Sequence, residues 1–270
     1  MPKDLTNQVI IITGASSGIG AATAVACARA GMDCVLNGRR AERLAEVAEQ
    51  VRRCGRAAEM VVGDVTAEGM STRLLDAAQR RFGRCDAVLA NAGYGFNKPV
   101  HETRPDEWRR IFEVNFLAAT ELLSEAARRL IAQRRRGHLL MTSSAVAKFT
   151  LRGFAAYSAT KAAQNHVCRA MRMELRRDGI EVTSIHPITT RSEFFERAAV
   201  YEGGTPDPAH PFGRSPRWFA QSSEKVARAI VRGLRRPRPE LWLSPTVRVS
   251  AGLMTVFPRL ADVVARLVGA

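Results

Sequence analysis

Gln8-Val-Ile-Ile-Ile-Thr13 runs straight into Gly14-Ala-Ser-Ser-Gly18-Ile-Gly20, and an alanine-rich segment, Ala21 to Ala30, follows. The first run is apolar and β-branched, the pattern of a parallel strand buried on both faces. The alanine-rich segment predicts a helix. Strand, glycine turn and helix form the context in which a glycine motif binds a nucleotide. Gly14 permits the tight turn, Gly18 lets the backbone approach a pyrophosphate, and Gly20 lets the helix pack closely on the strand. The backbone N–H groups of this turn, with those of Ser16, Ser17 and Ile19 among them, and the helix dipole are then available to phosphates. The spacing is G-x-x-x-G-x-G, a departure from the commoner G-x-G-x-x-G.

Further strand-like runs alternate with helix-like ones. Asp33–Asn37 reads as the second strand and Gly38-Arg39-Arg40 follows it. An acidic residue at the end of this strand would bind the ribose 2′-hydroxyl of NAD. Glycine stands there instead, and arginine matches a 2′-phosphate in charge and fork geometry. The expected cofactor is therefore NADP(H) in preference to NAD(H), with Arg39 as the main contact and Ser16 or Arg40 assisting. The alternative is that both arginines merely open the helix expected at Ala41–Arg53. Arg56–Val62 is a third strand. Asp64 and Val65 lie just beyond it, where Asp64 either bonds an adenine amino group or caps a helix starting near Thr66. Asp86–Ala90 is a fourth strand, and Asn91-Ala92-Gly93 is a small turn that lets a cofactor approach the backbone. Pro105–Phe112 reads as a short helix. Asn115 starts or sits inside a longer one reaching about Arg135, where its amide either holds a water or makes local hydrogen bonds. Ile180–Ile185 is a strand closed by His186-Pro187, Ser222–Leu234 a capped helix, and Glu240–Ser244 a last strand. The alternation predicts an α/β doubly wound parallel sheet.

The second informative stretch is Ser144 to Lys161, SAVAKFTLRGFAAYSATK. Tyr157 and Lys161 are four residues apart, so on the helix expected to about Asp178-Gly179 they share one face. A lysine ammonium beside a phenol favours the phenolate and lowers its pKa. Such a phenol can give a proton to a carbonyl oxygen or take one from an alcohol. Ser144 follows the apolar run from His138, at the carboxyl end of a strand, where open parallel sheets place ligands. Its hydroxyl can hold a substrate oxygen.

The formal charge is +15, carried by 36 arginines and five lysines. The arginines are spread over nearly every expected helix, a pattern read as coding bias ahead of attraction to anions or a membrane. Only 6% of the chain is aromatic, too little for a basic stripe with interleaved aromatics, so no nucleic-acid partner is expected. Cys27, Cys34, Cys54, Cys85 and Cys168 form no Cys-x-x-Cys pair and no zinc spacing, so reduced thiols and no metal are expected. The N-terminus runs almost directly into a strand, so no leader is expected, and no apolar stretch reaches the length expected of a spanning helix. The expected location is cytoplasmic. His101, His138, His166 and His210 read as structural or solvated.

With these residues in hand, the chain resembles the short-chain dehydrogenase/reductase family. TGASSGIG at Thr13–Gly20, NAG at Asn91–Gly93, Asn115, Ser144 and YSATK at Tyr157–Lys161 occur in the family's order over roughly residues 7–200. The resemblance implies a single Rossmann-like, three-layer domain over 1–245, a nicotinamide cofactor and hydride transfer to or from a carbonyl or alcohol. It implies Tyr157 as general acid/base, Lys161 on the nicotinamide ribose, Ser144 orienting the substrate oxygen and Asn115 holding the water of a proton relay. It also implies a homodimer or homotetramer through the two long helices. One stretch departs from the family: Pro187-Ile-Thr-Thr-Arg-Ser192 has Ile188 where glycine is usual and Ser192 where threonine is usual. Thr189 and Thr190 remain to supply nicotinamide contacts. Residues 194–220 match the family's substrate lid, with Phe194, Phe195, Phe212, Trp218 and Phe219 as an apolar wall or as plain core.

The tail, 246–270, has apolar residues at helical spacing with Pro258 as a kink or a second start. It is expected to cover the pocket or pack on a subunit, ahead of lying on a membrane. The expected activity is reduction of a mid-sized, partly apolar ketone or aldehyde. The alternatives are a cofactor-binding regulator or scaffold on the same fold, and a peripheral membrane enzyme acting on a lipid-derived carbonyl.

Overall fold

A computed structural model of the chain describes residues 1–188, 190–191, 221–257 and 259. Its first half alternates strand and helix: β1 (Val9–Ile12), α1 (Gly18–Arg29), β2 (Asp33–Gly38), α2 (Ala41–Arg53), β3 (Ala58–Val62), α3 (Met70–Phe82) and β4 (Ala87–Ala90). Then come α4 (Pro105–Phe112), a π-helical turn at Glu113–Leu117, α5 (Ala118–Ala132), β5 (Gly137–Thr142), a 3-10 turn at Ala145–Ala147, α6 (Ala155–Glu174) and β6 (Ile180–His186). Two-residue strands β7 (Thr190–Arg191) and β8 (Gln221–Ser222) pair with each other. They are followed by α7 (Ser223–Arg235), β9 (Glu240–Trp242) and α8 (Pro245–Val256).

The main sheet has the order β3-β2-β1-β4-β5-β6-β9, and every pairing in it is parallel. Strand order reverses between β1 and β4, the switch point at which such sheets open a crevice for ligands. Alternate β1 side chains serve two cores. Val9 and Ile11 pack with α3, α5 and α6 residues such as Leu74, Leu123 and Cys168. Ile10 and Ile12 pack with Ala24, Leu44 and Ile230 from α1, α2 and α7. Helices therefore cover both faces, giving the three-layer Rossmann-like domain that the alternation predicts.

Several boundaries differ from expectation. The long helix through Asn115 is split: Glu113–Leu117 is a π turn, in which the Ala118 amide reaches back to the Glu113 carbonyl, and only from Ala118 is the winding α-helical. The helix expected near Thr66 begins at Met70, because the Asp64 carboxylate folds Thr66 into a turn instead. The helix after Phe154 ends at Glu174, short of Gly179. The last strand stops at Trp242, because Ser244 turns to cap α8, accepting from the Val247 amide at 3.4 Å ahead of Pro245 at the first helical position.

Helix α8 packs against the 3-10 turn Ala145–Ala147, and Thr255 Oγ1 donates to the Lys148 carbonyl at 3.0 Å. Its outer face carries exposed Val249, Leu253, Val256 and Phe257. The lid stretch 194–220, Thr189, Ser192, Pro258 and residues 260–270 lie outside the described residues. No described helix is long and apolar enough to cross a membrane.

Candidate active site

The turn after β1 is packed to backbone contact. Gly14 sits at φ +65°, and a Cβ there would meet the Ala92 Cα at 2.9 Å. A Cβ on Gly20 would run into the Gly14 carbonyl and the Asn91 amide, so Gly20 serves the turn and β4 as well as the packing of α1. Asn91 locks three strands together. Its Nδ2 donates to the Thr13 carbonyl at 3.1 Å and its Oδ1 accepts from Thr142 Oγ1 at 3.0 Å. The Asn91 and Ala92 amides both donate to Thr13 Oγ1, at 2.9 and 3.0 Å. Ser17, at the N-cap of α1, makes no side-chain cap, and no acidic residue stands in the first turn. The N–H groups and positive end of α1 are thus left to an anion. This cradle fits the pyrophosphate of a dinucleotide. Ile19 packs on the α1-side core, and Val65 and Ala92 line a small cavity with Thr13.

The end of β2 lies beside that turn. A Cβ on Gly38 would meet Ser16 Cβ at 3.1 Å, so an acidic side chain would be crowded there. Arg40 reaches the Ser16 carbonyl at 3.5 Å. Arg39 is half exposed and lies 3.8 Å from the Asp64 carboxylate. Asp64 is also held by Arg110 of α4 at 2.8 Å, a residue that sequence reading passed over because it lies 46 positions away. Burial alone would raise the Asp64 carboxyl. Hydrogen bonds from Thr66 and the charges of Arg110 and Arg39 outweigh it and hold the group below the usual carboxylate range.

The second corner follows β5. Ser144 N-caps the 3-10 turn, its hydroxyl accepting from the Val146 amide at 3.4 Å, and is hydrogen-bonded to Tyr157. One turn along α6, the Lys161 Nζ lies 5.4 Å from the centroid of the Tyr157 ring. It donates to the Thr142 carbonyl at 2.8 Å and to Gln164 Oε1 at 3.1 Å. The expected lowering of the tyrosine pKa is corrected here. Desolvation pushes the Tyr157 phenol up, against the weaker opposite pull of the Ser144 hydrogen bond. Burial likewise pulls Lys161 down to about 7. Tyr157 is therefore a neutral phenol at physiological pH, the form that donates a proton.

Asn115 is fully buried. Its Oδ1 accepts from the Tyr94 amide at 2.9 Å, and its Nδ2 donates to the Tyr94 carbonyl at 2.8 Å and to Thr160 Oγ1 at 3.1 Å. Both amide donors are thus spent on protein, so the local-bonding alternative describes its side chain. Its main-chain carbonyl accepts from Gln164 Nε2. A Cβ on Gly93 would meet Asn115 Oδ1 at 3.0 Å, which keeps the Asn91–Gly93 turn tight on this residue.

Beneath Ser144 lies a support absent from the sequence reading. His186 Nδ1 donates to the Ser144 carbonyl at 2.9 Å. Burial pulls its pKa down to about 4, so the ring is neutral and Nε2 accepts from Ser184 Oγ at 3.0 Å. The imidazole stacks on Trp242, with centroids 4.4 Å apart and planes 4° from parallel. Trp242 donates to Glu240, which also binds Lys148 of the Ser144 loop at 3.0 Å. The Pro187 carbonyl accepts from the Ala145 amide at 2.9 Å, and the Ile188 amide donates to Gln221 Oε1 at 3.4 Å. Thr190 pairs with Gln221 across β7 and β8. Tyr157 packs, with Trp108 and Phe112, against a small buried cluster of Tyr94, Phe96, Ile111 and Ala156. His138, in contrast, is structural as expected: buried at the far end of β5 with Nε2 on Thr183 at 2.8 Å.

A family model described as short chain dehydrogenase matches residues 8–200. An uncharacterized oxidoreductase of Listeria innocua is 34% identical over 194 residues, which is 71% of this chain and 78% of that protein. A short chain dehydrogenase/reductase from Burkholderia phymatum, solved in complex with NAD, has a TM-score of 0.84 over 96% of both chains at 23% identity, a likeness of fold. An alcohol dehydrogenase from the archaeon Thermococcus sibiricus, complexed with 5-hydroxy-NADP, has a TM-score of 0.74 and 28% identity over 87% of this chain and 94% of that one.

Proposed function

The chain belongs to the short-chain dehydrogenase/reductase family of oxidoreductases, and from that premise we propose that it is an NADP(H)-dependent reductase of a mid-sized, partly apolar ketone or aldehyde. The observation that carries this reading is the Ser144–Tyr157–Lys161 corner, in which burial keeps the phenol protonated beside a serine hydroxyl. When bound, the nicotinamide supplies the hydride. Ser144 then holds the carbonyl oxygen and Tyr157 donates its proton to it. Lys161 holds the nicotinamide ribose and stabilises the phenolate left behind. The partly buried Trp108 and Phe112, packed in the same apolar cluster as Tyr157, support a partly apolar substrate.

The glycine turn would take the pyrophosphate, Asp64 the adenine edge and Arg39 the 2′-phosphate, with Ser16 and Arg40 alongside. Gly38 offers no carboxylate to a ribose 2′-hydroxyl, and a Cβ there would press on Ser16 at 3.1 Å, which supports NADP(H) over NAD(H). Exposed Leu117 and Ile131 around α5 and Met173 on α6 support a homo-oligomer built on those helices.

Paired titrations of the purified protein with NADPH and NADH, wild type beside Arg39→Ala, test the cofactor. Selective NADPH binding that drops about tenfold or more in the variant is expected for a lost charge-assisted contact. Equal binding of both cofactors by the wild type would remove the 2′-phosphate assignment.

A further inference from the structure

Gln164 is 1% exposed and lies on α6 just beyond Lys161. A buried primary amide must place both its donor and its acceptor, or lose the cost of desolvating them. Gln164 does so on two functional neighbours at once. Its Oε1 accepts from the Lys161 Nζ at 3.1 Å, and its Nε2 donates to the main-chain carbonyl of Asn115. That carbonyl belongs to the π turn, where backbone pairing runs from i to i+5. An ammonium has three donors. Thr142 and Gln164 take two, and the ring centroid of Tyr157 lies 5.4 Å from the Nζ.

We infer that Gln164 is a positioning residue that clamps the Lys161 ammonium between α6 and the Asn115 turn, and so fixes where and in which protonation state Lys161 meets the cofactor. The inference rests on the proposed function, in which Lys161 holds the nicotinamide ribose. Among the described residues the groups around Lys161 are nearly all uncharged. From α6 the titratable neighbour is Tyr157, from β5 the contact is the Thr142 carbonyl, and from the β4 loop and the π turn come Gly93 and Asn115. No charged side chain among the described residues is a cause of its shift, and burial alone pulls it down to about 7. Among the described residues Gln164 is the side chain that accepts a hydrogen bond from the ammonium.

The test titrates wild type, Gln164→Met and Gln164→Glu with NADPH by intrinsic fluorescence across a pH series, with a melting curve of the cofactor-free protein beside each. Methionine fills the space and removes the acceptor. Affinity at neutral pH is expected to fall about tenfold, and the alkaline loss of binding to move to lower pH by about one unit. A carboxylate beside an ammonium favours the charged form, so Gln164→Glu should move that midpoint to higher pH. A folded Gln164→Met protein with wild-type affinity and an unmoved midpoint would overturn the inference. If the methionine variant does not fold, an unmoved midpoint in Gln164→Glu overturns it equally. A wild type that binds neither NADPH nor NADH would sink the proposed function itself, an outcome separate from any behaviour of the variants.

Discussion

The turn after β1 and the corner after β5 lie at the same edge of one sheet, and they are made of different material. The first is backbone against backbone: glycines approach Ala92 and each other so closely that a methyl group would not fit. The second is side chain against side chain: Ser144, Tyr157, Lys161, Gln164 and His186 hold one another and the nearby main chain through hydrogen bonds, most of them buried. A site built from backbone tolerates no added atom, whereas one built from polar side chains tolerates no lost partner.

The largest expected effect tests the second corner. Tyr157→Phe removes the proton donor and keeps the ring, so turnover of any carbonyl substrate should fall by about 10²–10⁴-fold, with the NADPH dissociation constant unchanged. Retained turnover would break the contrast, since the corner would then have no chemical role. Next comes the first corner. Gly20→Ala drives a methyl into the Gly14 carbonyl and should cost about 1–3 kcal/mol in denaturant unfolding, as overpacking does, together with cofactor binding. Gly252→Ala, where a Cβ meets open space, should cost nothing; equal losses in both would show that crowding is irrelevant.

The smallest effect separates two histidines. Burial pulls His138 down to about 3 and His186 down to about 4. Between those values and the ordinary value near 6.5 the unfolded chain binds protons that the folded chain refuses, so stability falls as pH drops through that window. Each histidine contributes a slope of about 1.4 kcal/mol per pH unit. His138→Asn and His186→Asn should flatten the acid limb of the stability curve alike. Turnover should drop in His186→Asn alone, since that ring holds the Ser144 carbonyl. Equal turnover in the two variants would mean that Ser144 needs no support from below.

How much of this was legible follows the same division. The Val-Ile-Ile-Ile run, the glycine spacing and Gly38-Arg39 are local patterns, because strand burial and tight turns are decided within a few residues. The Tyr157–Lys161 pair is likewise local, one helical turn. Gln164, His186 and Trp242 gave no such signal. Gln164 reads as one more polar residue on a helix, and its partner Asn115 is 49 positions away. His186 was noted as the end of a strand, and its stacking on Trp242 depends on β9 pairing beside β6. The π turn was missed because nothing in Glu113–Leu117 forbids an ordinary helix. The direction of the Tyr157 shift was misread because spacing reports the nearby lysine and is silent on burial.

Trp242 and Glu240 have a consequence in time. A ribosome emits the nucleotide-binding strands first and residues 240–242 near the end, yet these late residues buttress His186 and Lys148 beneath Ser144. The glycine turn waits as long, because α1 behind it shares its core with Val226, Ile230 and Leu234 of α7, and a domain folds as a unit. Both corners are therefore completed together, by the last quarter of the chain to leave the ribosome.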